Sequence, residues 1–326
     1  EEIFRIFPAL IGERYPQALR NHALKKEVIC NHLANEILDL MGLTFAYRQM
    51  KSTGAGADDM VRAYLIVREV LDFEAVWREI EALDHRRDWA IQADLLLNLM
   101  RLGRRTTRWV IRNRRTCANI RAEVQSLKPI LGDLLAAGVE QSETLEHQDD
   151  RFNELRELGL SPYAAMLIDS SADLFYAFGM ADVTIRTGAE MRLVREVYAE
   201  LGEMLQLEWL SQQIIDLPSE NRWEDFAREA FVHELESQYR ALAVTMVEEL
   251  ASQEELSARL RHWQASQTAL VLRWNDMIAE LKSAPVRKYA MFSVALQVLR
   301  DLVDTTRQQG NLADFCALPV VLDAPA

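Results

Sequence analysis

The chain has 326 residues, 49% of them apolar and 27% charged, with only 12 Gly and 8 Pro. That balance excludes a disordered chain and is sufficient for one large helical core or two smaller ones. The 37 basic and 50 acidic residues leave a net charge of −13, which argues against a general binder of nucleic acid or anionic membrane, because the mean field repels phosphates.

Apolar residues recur at helical spacing almost throughout, and no convincing period-2 alternation marks a strand. The predicted fold class is therefore all-α: a multi-helix bundle of long antiparallel helices in two subdomains, without a Rossmann sheet. A helix over 24–41 carries Leu24, Val28, Leu33, Ile37 and Met41 and ends at Gly42, a left-handed exit. A short helix covers 44–51, and Ser52-Thr53-Gly54-Ala55-Gly56 reads as a turn. Asp58 and Asp59 suit the positive end of the next helix, which carries Val61, Tyr64, Leu65, Val67 and Val70. Helices follow over 73–83, 89–115 and 117–137, with Asp84 or Asp88 capping the second. Residues 138–151 lose the apolar stripe and become acidic, so they read as a linker between subdomains at 1–137 and 152–326. Beyond it, helices are predicted over 152–158, 162–178, 188–205, 208–217, 222–251, 254–282 and 289–306. Ser161 before Pro162 pairs a capping residue with a good first helical position. Thr187 is a cap for 188–205, and Pro285 breaks the helix before it. No fixed-period repeat is present, which argues against a helical solenoid.

Few residues suggest chemistry. Gly54-Ala55-Gly56 lacks the preceding strand and third glycine of a dinucleotide loop, and the two following aspartates would repel a pyrophosphate. His233-Glu234 lacks the second histidine of a zinc helix, and no histidine follows a Glu by three, as helical di-iron sites require. Cys30, Cys117 and Cys316 are far apart without a CxxC pair. They read as small buried hydrophobes and reduced thiols, which points to a cytoplasmic protein. No apolar run reaches the ~20 residues of a membrane span. Glu1 stands where an initiator Met would, with no signal-like segment behind it, so the chain reads as a piece of a longer polypeptide.

The densest positive charge lies at 101–115. Arg101, Arg105, Arg108, Arg112 and Arg115 step by 4, 3, 4 and 3, which puts them on one helix face opposite Leu95, Leu96, Leu99, Gly103 and Val110. Three readings stay open: a solvated face with salt bridges inside an acidic chain, a docking surface for an acidic partner with Trp109 as apolar anchor, or a phosphate or nucleic-acid site.

Six runs occur in order: Arg20-Asn21-His22 with Leu24, Glu27 and Asn35, continuing to Gly42-Leu-Thr-Phe45-Ala-Tyr-Arg48; Thr53-Gly54 with Val61-Arg62-Ala63-Tyr64 and Arg68-Glu69-Val70; Trp77 with Ile80-Glu81-Ala82-Leu83-Asp84; Thr107-Arg108-Trp109 with Arg112-Asn113; Val197-Tyr198 with Gly202 and Trp209-Leu210; and Arg222-Trp223 with Ala227-Arg228. Together, over roughly 10–300, they resemble the C-terminal helical region of the large bacterial NAD-specific glutamate dehydrogenases. The resemblance implies a polypeptide several times longer, with a catalytic core upstream that oxidises L-glutamate with NAD to 2-oxoglutarate, ammonium and NADH. It places NAD in that parent enzyme and carries no catalytic, cofactor-binding or metal residue onto this chain. It implies the upstream catalytic domain as partner, a homo-oligomeric parent, and residues 1–50 nearest the core. On this reading Arg101, Arg105, Arg108, Trp109, Arg112 and Arg115 form the docking surface, with no nucleic acid or membrane as partner. Without the resemblance, the bare sequence describes a free-standing helical scaffold.

Overall fold

The computed structural model describes residues 2–84, 86–114, 119–144, 150–170, 174–249 and 256–316. The protein is all-α: every regular element among the described residues is a helix, as the apolar periodicity predicts. Contacts divide the chain into two units, Glu1–Lys128 with Gly132–Phe175, and Pro129–Leu131 with Tyr176–Ala326.

The first unit opens with three short helices, α1 (Glu2–Ile6), α2 (Ala9–Arg14) and α3 (Pro16–Arg20), which the sequence reading left unassigned. Pro8 stands at the N-cap of α2 and Pro16 at the start of α3, so each proline starts a new helix and limits the one before it. Next comes α4 (Lys25–Met41), which buries Leu33, Ile37 and Met41 and ends at Gly42 with φ 84°. Helix α5 (Phe45–Thr53) ends at Gly54, which takes the left-handed helical conformation at φ 68°. Gly56 then opens α6 (Ala57–Val70), with Asp58 and Asp59 in its first turn. The Gly-x-Gly segment is thus a helix-to-helix turn.

Helix α6 is the axis of this unit. It buries Met60, Ala63, Tyr64, Leu65, Ile66, Val67, Arg68 and Val70, more than one stripe, because α5, α7 (Phe73–Glu81) and α8 (Trp89–Asn113) all pack on it. A buried arginine on such a helix must find anions. The Arg68 guanidinium bonds Glu36 Oε2 at 2.9 Å, Glu2 Oε1 at 2.5 Å and Glu69 Oε1 at 2.9 Å, and Tyr64 donates to Glu36 at 2.7 Å. These bonds join α1, α4 and α6. Burial pulls against the Arg68 charge, but Glu2 and Glu36 outweigh it and hold its pKa above the ordinary arginine range.

Helix α9 (Ile120–Thr144) includes Pro129 and runs on through Gly138, so the stretch read as a linker is helical as far as Thr144. Residues 145–149 lie outside the described residues. Then come α10 (Asp150–Leu158) and α11 (Pro162–Asp169), where Ser161 Oγ accepts from Ala164 N at 3.2 Å, the predicted cap.

The segment read as one helix over 162–178 is two. Helix α11 stops at Asp169, and α12 (Leu174–Thr187) carries helix past Gly179. Thr187 closes α12 by donating to Val183 O at 2.8 Å; the N-cap of α13 (Met191–Leu205) is Glu190, which corrects the sequence reading.

The second unit continues with α14 (Leu207–Ile215), α15 (Arg222–Glu249), α16 (Leu256–Ser266), α17 (Thr268–Ser283) and α18 (Tyr289–Cys316). The helix predicted at 254–282 is interrupted at Gln267. Helix α15 packs on α13, α14 and α18, and α17 on α18. Leu201, Leu205, Leu242, Met246, Trp274, Phe292 and Leu299 lie in the shared core. Buried indoles find partners there, as they must: Trp274 Nε1 donates to Leu205 O at 3.0 Å and Trp263 Nε1 to Thr306 Oγ1 at 2.9 Å. Tyr239 donates to the Tyr198 carbonyl. Among the described residues no helix is long and apolar enough to cross a membrane.

Candidate docking face

The arginine stripe lies on α8. Asp88 starts this helix, its side chain accepting from Ala90 N at 3.0 Å. Leu95, Leu99, Leu102, Gly103, Thr106, Val110 and Ile111 bury one side of it. Gly103 permits the closest approach: a Cβ there would stand 2.9 Å from Met41 Cε and from the Phe73 ring. With that side committed to α4, α6 and α7, the arginines are forced outward.

They are not equally outward. Arg101 is exposed, whereas Arg105, Arg108 and Arg112 are half-buried. Arg101 Nη1 donates to the neutral Asn98 side chain at 3.1 Å, and Arg112 Nη2 to the Ser52 carbonyl at 3.1 Å. Arg112 thus ties α8 to the end of α5. Arg115 lies outside the described residues. Trp109 is not on this face: it is 1% exposed and belongs to the core. The sequence assigned it to the surface because it neighbours arginines in the chain, but position 109 follows the buried row that contains Thr106 and Val110.

Sequence spacing also passed over Arg104, between the stripe and the core. It is half-buried, with Nε donating to Met100 O at 3.3 Å. Its carbonyl accepts from Gln49 Nε2 at 2.8 Å, which fixes α5 against α8. Burial first, and then the charges of Arg48, Arg101, Arg108 and Arg105, push the Arg104 pKa below the ordinary arginine range. Arg48 comes from α5, so the cationic face has a second contributor 56 residues away that no periodicity reveals.

Elsewhere the structure sorts the remaining sequence candidates. His22 Nδ1 accepts from Leu24 N at 3.2 Å, a helix-start role. His32 lies 3.6 Å from Glu36. Cys30, read as a buried hydrophobe, is exposed instead: its phase puts it on the side of Ile37 and Met41, but the first two turns of α4 bury no residue, and burial begins only at Leu33. Cys117 and the Cys316 side chain lie outside the described residues. Among the described residues no three His, Cys, Asp or Glu side chains cluster as metal ligands would.

Comparison with known proteins bears on most of the chain. Residues 1–301 match the family model described as glutamate dehydrogenase, C-terminal. The NAD-specific glutamate dehydrogenase of Pseudomonas aeruginosa is 35% identical over 306 residues, covering 92% of this chain and 19% of that protein. The protein of the same name from Halomonas elongata is 30% identical over 310 residues, covering 93% and 19%. The one from Mycobacterium tuberculosis is 23% identical over 310 residues with the same coverage. The chain spans about a fifth of the length of these relatives.

Proposed function

This chain belongs to the family of glutamate dehydrogenase C-terminal regions, and from that premise we propose that it is the non-catalytic C-terminal domain of an NAD-dependent glutamate dehydrogenase. The parent reaction is L-glutamate, NAD and water to 2-oxoglutarate, ammonium and NADH. The domain's task is structural or regulatory, to brace the catalytic core or the subunit assembly, through the arginine face Arg101, Arg105, Arg108 and Arg112.

The observation that carries this reading is the match itself, which runs over residues 1–301 but occupies 19% of the relatives. Hydride transfer to NAD needs a fold that places the nicotinamide against substrate, ordinarily a doubly wound sheet with a phosphate-binding turn. The helices that make up the regular structure of the described residues fit a supporting part of such an enzyme. The test expresses this chain alone beside the full-length parent and follows glutamate-dependent NADH formation at 340 nm. Turnover is expected from the parent only. NADH produced by the chain alone overturns the non-catalytic assignment. A parent gene without a nucleotide-binding fold overturns the enzyme context and favours a free-standing scaffold.

A further inference from the structure

We propose that the joint surface of α5 and α8, built from Leu43, Tyr47 and Arg48 on one side and Leu97, Arg101 and Arg104 on the other, is the seat of an acidic, apolar-tipped polypeptide segment lying outside this chain in the same parent protein. The inference rests on the docking reading above and names its surface and partner.

The two helices form one face. Gln49 Nε2 binds the Arg104 carbonyl at 2.8 Å, and a Cβ on Gly42 would lie 3.5 Å from Met100 Cε. The nearest exposed residue of α5 to the row Leu97, Arg101, Arg104 on α8, whose steps of 4 and 3 make one line, is Arg48, whose charge joins that of Arg101 in lowering the Arg104 pKa. Apolar groups are left in water on both elements: Leu43, just before α5, is 83% exposed, Tyr47 56% and Leu97 45%. Phe45 and Gln49 are turned inward by the same helix, so Tyr47 and Arg48 face out together.

Charge and apolar surface specify the occupant jointly. Arginines at 48, 101 and 104 repel one another, and the hydrogen-bond partners of Arg101 and Arg104 named above are neutral groups, an amide and a carbonyl. A carboxylate-bearing partner relieves that repulsion and suits the guanidinium fork. A free phosphate would satisfy the charges but has no use for an exposed leucine and tyrosine. Aromatic, aliphatic and arginine side chains placed together are the composition of a protein interface centre. The chain is about a fifth of its relatives' length, and a second copy would bring the same cations against themselves in a symmetric contact. The segment is therefore assigned to the rest of the polypeptide.

The native Lys51 supplies the test, since its Nζ lies 6.0 Å from the Tyr47 ring centroid at the edge of this face. A carbodiimide joins lysine amines to carboxylates with no spacer. The full-length protein, isotopically labelled and mixed with unlabelled copies, is treated with carbodiimide and its Lys51 peptides are sequenced. The expected product joins Lys51 to an Asp or Glu outside residues 1–326, within one copy, with Leu, Ile, Phe or Met within a helical turn of that acid. An Arg101→Lys variant should give a second cross-link to the same segment, and Leu43→Ser with Tyr47→Ser should reduce both at least tenfold. Cross-links confined to residues 1–326, mixed-label cross-links between copies, or a yield unchanged by Leu43→Ser with Tyr47→Ser overturn the proposal. So does 10 mM pyrophosphate abolishing the cross-link while the apolar variants leave it intact, which would mark an anion site. A correct cross-link in a parent without glutamate-dependent NADH formation keeps this surface and removes only the enzymatic reading.

Discussion

Replacing Arg68 with Met tests whether the first unit is held by its buried charges. The Arg68 side chain is 1% exposed and Glu36 12%, so the variant leaves Glu36 and Glu2 close together in a poorly solvated place with their cation gone. Breaking a buried pair from one side costs about 3–5 kcal/mol, because the remaining charge stays desolvated. The cost falls on α6, and a second unit with its own core blurs a single melting curve. The assay is therefore hydrogen exchange resolved by helix. Amides of α6 should exchange roughly a hundredfold to a few thousandfold faster, while those of α15 keep their protection. Arg68→Met with Glu36→Gln should recover part of the loss, since the orphan charge is then removed as well. An α6 exchange rate raised less than about fivefold, or a double variant as damaged as the sum of the singles, would refute the reasoning.

Other expectations follow from single contacts. Trp109→Ala should destabilise the isolated chain by about 3–5 kcal/mol in urea unfolding, as a core tryptophan does; an effect seen only on assembly would return Trp109 to the interface. Gly202→Ala puts a Cβ 2.6 Å from Tyr239 Oη, so it should displace the bond to Tyr198 O at a cost of about 1–3 kcal/mol. Adding Tyr239→Phe removes the clashing atom and should narrow the deficit between single and double variants in a thermal melt. Burial first pushes the pKa values of Tyr64, Tyr163, Tyr198 and Tyr239 upward. A folded pKa above the unfolded value of about 10 gives stability that is complete below pH 10 and is lost as pH rises through the folded range. Phenolate absorbance at 295 nm should show these four titrating only together with alkaline unfolding; early, separate titration of four tyrosines would contradict their burial.

The elements legible in the sequence were those with local punctuation. Gly42, Gly54, Ser161 and the pair Asp58–Asp59 each mark a helix end where the structure has one, because a left-handed exit, a hydroxyl cap or a dipole-matched charge acts within one turn. The break at Gln267 had no such mark. It carries neither Gly nor Pro, and Thr268 Oγ1 donates back to Ala265 O at 2.7 Å there, a choice made by packing. Half of the proposed docking face was illegible for a related reason. The row on α8 follows from its period, but Arg48, Tyr47 and Leu43 join it only through the seating of α5 on α8.

Glycine shows where reading from local signals fails. Gly42 and Gly179 look alike in sequence, each directly after a predicted helix, over 24–41 and 162–178. Gly42 has φ 84° and ends its helix, whereas Gly179 lies inside α12. A Cβ at 179 would meet Tyr198 Oη at 2.9 Å and Glu236 Oε1 at 3.0 Å, so the missing side chain makes room for a hydroxyl from α13 and a carboxylate from α15. The destabilisation glycine brings to a helix interior, about 1 kcal/mol relative to alanine, is accepted there for a close three-helix approach. Conformational need can be read from a glycine's own neighbours in the chain. Steric need depends on residues 19 and 57 positions further along, which meet it only after the helices have packed.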